Sequence, residues 1–178
     1  MDRMFLIVLA LIFSLSSKAQ KFTAEKTYVK FFSDAAIEDI TAENTKASSI
    51  FSKETGDVVF SVPIKEFEFE KSLMKQHFNE KYMDSEQFPK AMFQGKISGY
   101  QSDATGQQKA TASGKLTIHG VTQEVQIPGT IENGNGSIKM KAKFIVKLVD
   151  YKIKIPQLLW KNIAEEVEVT VEFNYKSL

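Results

Sequence analysis

The feature that most constrains this chain is an alternation of apolar residues running into and out of a two-residue reversal. Ala110, Ala112, Gly114, Leu116 and Ile118 share one parity before His119-Gly120, and Val121, Val125, Ile127 and Ile131 share another after it. A period of two places every second side chain on one face of an extended strand. His119-Gly120 can join two such strands as a tight hairpin, because glycine takes positive φ without steric cost. The stretch therefore predicts a long antiparallel hairpin. The small side chains before Leu116 predict a strand that curves tightly or lines a space, and the rest of the chain can be read as strands closing around it.

The first 19 residues have the layout of a signal peptide: Arg3 as the positive start, an apolar run from Met4 to Leu15, and Ser17-Lys18-Ala19 as a small-x-small cleavage site. The run is short for a membrane span. Cleavage after Ala19 leaves residues 20–178 as one domain, exported to a periplasmic or extracellular space. The chain has no Cys, so neither a lipid anchor at a cysteine nor a disulfide is expected, and stability must come from the core. Arg3, Lys18 and Asp2 leave with the signal peptide, so 23 basic and 22 acidic residues become 21 and 21. A neutral surface speaks against nucleic acid as a partner. No second apolar segment reaches membrane-spanning length.

Residues 21–56 give weaker patterns. Tyr28 to Phe32 reads as a strand, Ala36 to Ile40 as a short strand or a turn of helix, and Ala47 to Ser52 as another strand, before a turn at Thr55-Gly56-Asp57. Val58, Phe60, Val62 and Ile64 then alternate with Val59, Ser61, Pro63 and Lys65. The parity slips by one at Lys65-Glu66, which predicts a β-bulge, with Pro63 at an edge or at the bulge. Ser72 is a candidate N-cap for a helix through about Tyr82, with Leu73, Met74, His77, Phe78 and Tyr82 on one apolar stripe. Such a helix could cover an open end or an edge of a sheet.

Beyond Pro89 the chain reads as five long strands. Ala91 to Gln101 carries Phe93, Gly95, Ile97 and Gly99 on one face, and the two strands of the hairpin follow. Asn133-Gly134-Asn135-Gly136 is a strong turn. Ile138 to Val149 places Ile138, Met140, Ala142, Phe144, Val146 and Leu148 inward and Lys139, Lys141, Lys143 and Lys147 outward. Pro156 to Trp160 reads as one helical turn. The last strand alternates Val167, Val169, Val171, Phe173 and Tyr175 with Glu166, Glu168, Thr170 and Glu172, so its acidic face could pair with the lysine face. About eight long strands, each with one apolar face, predict a barrel or curled sheet with a single interior. A two-sheet sandwich is the competing architecture.

Two segments carry a family resemblance. Leu116-Thr117-Ile118-His119-Gly120-Val121-Thr122 with Glu124-Val125 resembles the signature of the YceI-like lipid-binding family. His77-Phe78, Tyr82-Met83-Asp84, Phe88-Pro89 and Phe93 resemble its second conserved stretch, in the same order and spacing. The likeness covers about residues 57–175. It implies an all-β, lipocalin-like antiparallel barrel with one short helix, exported, that holds a polyisoprenoid chain or quinone tail. The family often opens with a Ser-x-Val-x-Phe strand followed by Lys-His and a Gly-rich turn. Here Tyr28-Val29-Lys30-Phe31-Phe32-Ser33-Asp34-Ala35 stands in that place without the His. Met74-Lys75 replaces an Arg-Asp pair before the His-Leu segment. Both departures fall at the expected mouth of the barrel.

Catalytic chemistry finds little footing. His119 sits in a turn, where backbone hydrogen bonding is its ordinary role, and His77 lies on the apolar stripe, where a packed histidine is the ordinary case. Two histidines 42 positions apart and no Cys make a poor metal site, and no cofactor is implied. There is no Gly-x-Ser-x-Gly elbow and no phosphate loop. A non-enzymatic binding protein is therefore expected. Small inward residues (Ala110, Ala112, Gly114, Gly95, Gly99, Ala142) share faces with Phe93, Phe144, Met140 and Phe173. This mixture fits either a filled, tapering barrel or a tunnel, and the family resemblance points to the tunnel.

The expected ligand is a long-chain isoprenoid or other lipid. Its expected wall is Phe60, Val62, Phe93, Ile97, Leu116, Ile118, Val125, Ile127, Met140, Phe144, Val169, Val171 and Phe173, with His77, Phe78 and Tyr82 near an opening. Fourteen Phe residues supply broad apolar walls, and Met74, Met83, Met92 and Met140 could adapt to a flexible chain. The alternative is an envelope protein-interaction module with a filled core and no ligand. A strand edge near residues 28–52 could also pair two copies as a homodimer.

Overall fold

The computed structural model describes residues 20–34, 39–134, 136–155 and 164–178. The predicted signal peptide, most of the Ala36 to Ile40 segment, Asn135 and the predicted helical turn at Pro156 to Trp160 lie outside the described residues. Ten strands form: β1 (Lys21–Ser33), β2 (Ile40–Asn44), β3 (Ser48–Ser52), β4 (Asp57–Pro63), β5 (Glu68–Phe69), β6 (Lys90–Ser98), β7 (Gly106–Ile118), β8 (Val121–Asn133), β9 (Ser137–Lys147) and β10 (Glu166–Ser177). One short helix, α1 (Ser72–His77), lies between β5 and β6.

All pairings are antiparallel, in the order β10-β9-β8-β7-β6-β4-β3-β1, and β1 returns to β10 to close an eight-stranded barrel. A single closed sheet replaces the sandwich alternative. The β7–β8 hairpin pairs along its whole length of 13 residues a side, ending at Ile118 opposite Val121. His119 (φ 51°) and Gly120 (φ 72°) are both left-handed, as a two-residue type I′ turn requires. On the outer face of β9 and β10, Lys141 meets Glu172 at 2.9 Å, Lys143 meets Glu168 at 2.8 Å and Lys147 meets Glu166 at 3.3 Å. These are exposed pairs, each worth about 0–1 kcal/mol.

β1 does more than one strand's work. Its start, Lys21 to Thr23, pairs with β3, and its end, Val29 to Ser33, pairs with β2. β2 in turn holds β5 through Ala42 and Glu43. Strands of the 28–52 stretch are thus flanked on both sides. The open end of the sheet order is β5, two residues long.

Two local expectations are corrected. The parity slip at Lys65-Glu66 is not a bulge. Residues Ile64–Glu66 form a 3-10 turn that carries the chain from β4, beside β6, to β5, beside β2. Ser72 is not the N-cap. Lys71 holds that position without a side-chain capping bond, and Ser72 begins the helix. The helix then widens into a π-helical turn at Phe78–Tyr82. Met74, His77 and Phe78 centre its inward arc, which leaves Leu73 at the edge and 59% exposed.

Curvature in the wall depends on glycine at one crossing. Gly95 and Gly114 are cross-strand partners, and a Cβ on Gly114 would lie 2.3 Å from the Gln94 carbonyl oxygen, with one on Gly95 2.2 Å from that of Ser113. No side chain fits unless β6 and β7 separate. Gly114→Val is expected to cost about 1–3 kcal/mol, read as a lowered midpoint in thermal unfolding followed by circular dichroism. An unchanged midpoint would mean that the two strands part here freely.

Candidate functional site

The inward faces of the strands do not meet. They enclose a cavity of about 390 Å³, within the roughly 300–1,000 Å³ range of small-molecule sites. Ala110, Ala112, Phe144, Val167, Val169 and Val171 face this space and are only partly buried. Their uncovered surface is the cavity wall. The strand parity explains the lining, since alternate residues of β7, β9 and β10 point the same way.

The two ends differ. At one, Phe60 lies 4.6 Å from Phe173 and 5.8 Å from Phe93, ring centre to ring centre, and these rings belong to the wall. Beyond them comes a packed layer of Phe22, Phe51, Val58, Ile138 and Tyr175, all 3% exposed or less. Tyr175 Oη lies 2.7 Å from Ser49 Oγ, which itself donates to the Val59 carbonyl at 2.8 Å. The Tyr175 hydroxyl is therefore the donor of that pair. Burial pushes the Tyr175 phenol well above its ordinary value.

At the other end α1 and its π-helical turn lie across the cavity. Phe78 stacks on Phe31 at 5.3 Å, and Phe67 and Phe69 pack on Phe78 at 5.6 and 5.0 Å. Met74, His77, Phe78 and Tyr82 line the space and are half-buried. His119 stands apart: its Nδ1 lies 3.3 Å from the Tyr151 carbonyl and its ring packs against Phe88 at 4.7 Å. It acts as a turn residue.

Of the residues expected to meet a ligand, all but Val125 border this one cavity: Phe60, Val62, His77, Phe78, Tyr82, Phe93, Ile97, Leu116, Ile118, Ile127, Met140, Phe144, Val169, Val171 and Phe173. Val125, opposite Gly114, is partly buried against the core but outside the wall. Sequence reasoning missed Val29, Phe31, Ser33, Phe67 and Phe69. The alternation of Val29, Phe31 and Ser33 was a usable signal. Phe67 and Phe69 were readable as a strand face but not as part of the cover. Among the described residues no three His, Cys, Asp or Glu side chains converge as a metal site, and no helix is long and apolar enough to cross a membrane.

The state of Tyr175 sets a pH dependence. Its folded pKa is raised above the unfolded value of about 10, so the stability it contributes is full below pH 10 and is lost as pH rises further. Unfolding midpoints measured upward from pH 9 should fall for the wild type and fall less steeply for Tyr175→Phe. Parallel curves would remove Tyr175 as the cause.

Comparison with known proteins follows the same lines. A family model described as the YceI-like domain matches residues 14–175. No curated protein sequence matches. Among solved structures, a polyisoprenoid binding domain from Saccharophagus degradans implicated in plant cell wall breakdown superposes with a TM-score of 0.76 at 14% identity, covering 88% of this chain and 98% of that one. BcnA of Burkholderia cenocepacia gives 0.70 at 18% identity, covering 83% and 95%. A YceI protein of Campylobacter jejuni gives 0.64 at 14% identity, covering 80% and 86%. At these identities the likeness is one of fold.

Proposed function

The chain belongs to the YceI-like domain family, and from that premise we propose that its barrel binds one long apolar chain, an isoprenoid, a quinone tail or a lipid of similar shape. The observation that carries this reading is the hollow interior: inward-facing aliphatic and aromatic side chains that leave surface uncovered. A core meant only for stability closes such space, because each missing contact costs dispersion energy. The cavity supports this reading over an interaction module with a filled core. The description of the Saccharophagus relative as a polyisoprenoid binding domain supports the same ligand class.

Magnitudes suffice without a polar anchor. Burial of ten methylene groups is worth about 8 kcal/mol gross, on the order of micromolar affinity before ordering costs. Binding, rather than catalysis, is the proposed activity. The ligand contacts are the wall residues named above, with Phe78 and Tyr82 at the helix-covered end. Export follows in this reading from the signal-peptide pattern of residues 1–19, and the working protein is then residues 20–178.

The test is native mass spectrometry of protein purified without detergent, followed by denaturing analysis of what is released. About one isoprenoid or lipid per chain is the expected result. Ala112→Phe places a ring in the cavity and should weaken uptake roughly tenfold or more, the equivalent of about two buried methylenes, with the fold retained. Protein that is bare and also refuses added quinone and isoprenoid probes would overturn the reading.

A further inference from the structure

The end of the cavity away from the helix is closed by two rows of side chains, one behind the other. In the first row Phe60 stands opposite Phe93 across β4 and β6, and Phe173 opposite Met140 across β10 and β9. All four line the cavity. Two residues along the same strands lie Val58, Tyr175 and Ile138, on the same face but behind the lining. Phe22 and Phe51 complete this second row, since Phe22 is registered against Phe51 and Phe51 against Val58. All its members are 3% exposed or less. The row is pinned as well as packed. The Phe51 and Tyr175 rings lie 6.0 Å apart, and the Tyr175 hydroxyl donates to Ser49 Oγ on β3 at 2.7 Å. Swinging Tyr175 aside to admit a chain would break a buried hydrogen bond and open a close-packed layer.

The depth in front of these rows follows from the strands. On β10 the lining runs through Val167, Val169 and Val171 to Phe173, the first ring along that strand. That stretch is about 20 Å of strand at ~3.3 Å a residue. Barrel strands tilt by about 35–45°, so the depth along the axis is about 14–16 Å. An extended carbon chain advances about 1.2 Å a bond, as an extended peptide with three bonds a residue does, and meets the first row after about 12–14 bonds. We propose that the row of Phe60, Phe93 and Phe173 is a stop that limits the enclosed part of an apolar chain to about thirteen to fifteen carbons. This rests on the apolar-chain reading above and gives it a length. A longer chain gains little, because its remainder stays outside the apolar wall and buries no further surface.

The experiment titrates the whole protein, stripped of lipid, with linear alcohols that grow two carbons at a time, each kept below its solubility limit and read by native mass spectrometry. Each added pair of methylenes should tighten binding about tenfold up to about fourteen carbons, and less than about twofold beyond. Phe60→Ala takes one ring out of the stop and should move that break upward by about two carbons or more. Val171→Phe sets a ring one row nearer the helix and should move it downward by about four carbons. If the alanine variant folds poorly, Val171→Phe decides the matter. Affinity that climbs evenly through the whole series, or a break that neither substitution moves, overturns the stop and leaves the apolar-chain reading intact. Failure of every alcohol to bind overturns the apolar-chain reading and the stop with it.

Discussion

The pairing of the first strand with the last is the interaction on which everything else rests. Ten residues of β1, from Phe22 to Phe32, are registered against β10 across one bulge at Ala24/Lys26. Without that seam eight strands with one apolar face each would form an open sheet, with two raw edges and a greasy side facing water. Closure removes the edges and turns the apolar faces into an interior that needs no second layer. The same strand then decides where the helix goes. Because the end of β1 diverges from β3 to take β2, and β2 takes β5, the chain that leaves β5 is already over the end of the barrel when α1 begins.

What the sequence made legible was the part governed by period two. The β7–β8 hairpin, the lysine face of β9 and the glutamate face of β10 could be read because each apolar residue alternates with a polar one over ten residues or more. The weak reading of β1 has a physical origin: Thr23 to Thr27 mixes small, charged and polar residues, and the bulge at Ala24/Lys26 shifts the parity midway. The slip at Lys65-Glu66 was visible but ambiguous, since a bulge and a 3-10 crossing both move the pattern by one. Ser72 has the chemistry of an N-cap, yet the chain enters the helix one residue earlier without a capping bond.

The candidate site divides along the same line. Parity names the residues that point inward, and so the wall could be listed. It says nothing of how far apart opposing walls stand, which depends on closure and strand tilt. Alanines at 110, 112 and 142 were therefore compatible with both a filled and a hollow barrel, and the family resemblance, not the pattern, favoured the hollow one. The aromatic cover was out of reach for another reason. Phe31, the Phe67–Phe69 stretch and Phe78 come from three separate segments and meet only because β5 sits beside β2.

The packed layer of Phe51 and Tyr175 has a consequence for traffic. A sleeve sealed at one end is a cul-de-sac, so a long occupant cannot thread through it. It must back out by the route it took in, in the reverse order of its atoms. The orientation chosen on entry would persist until departure.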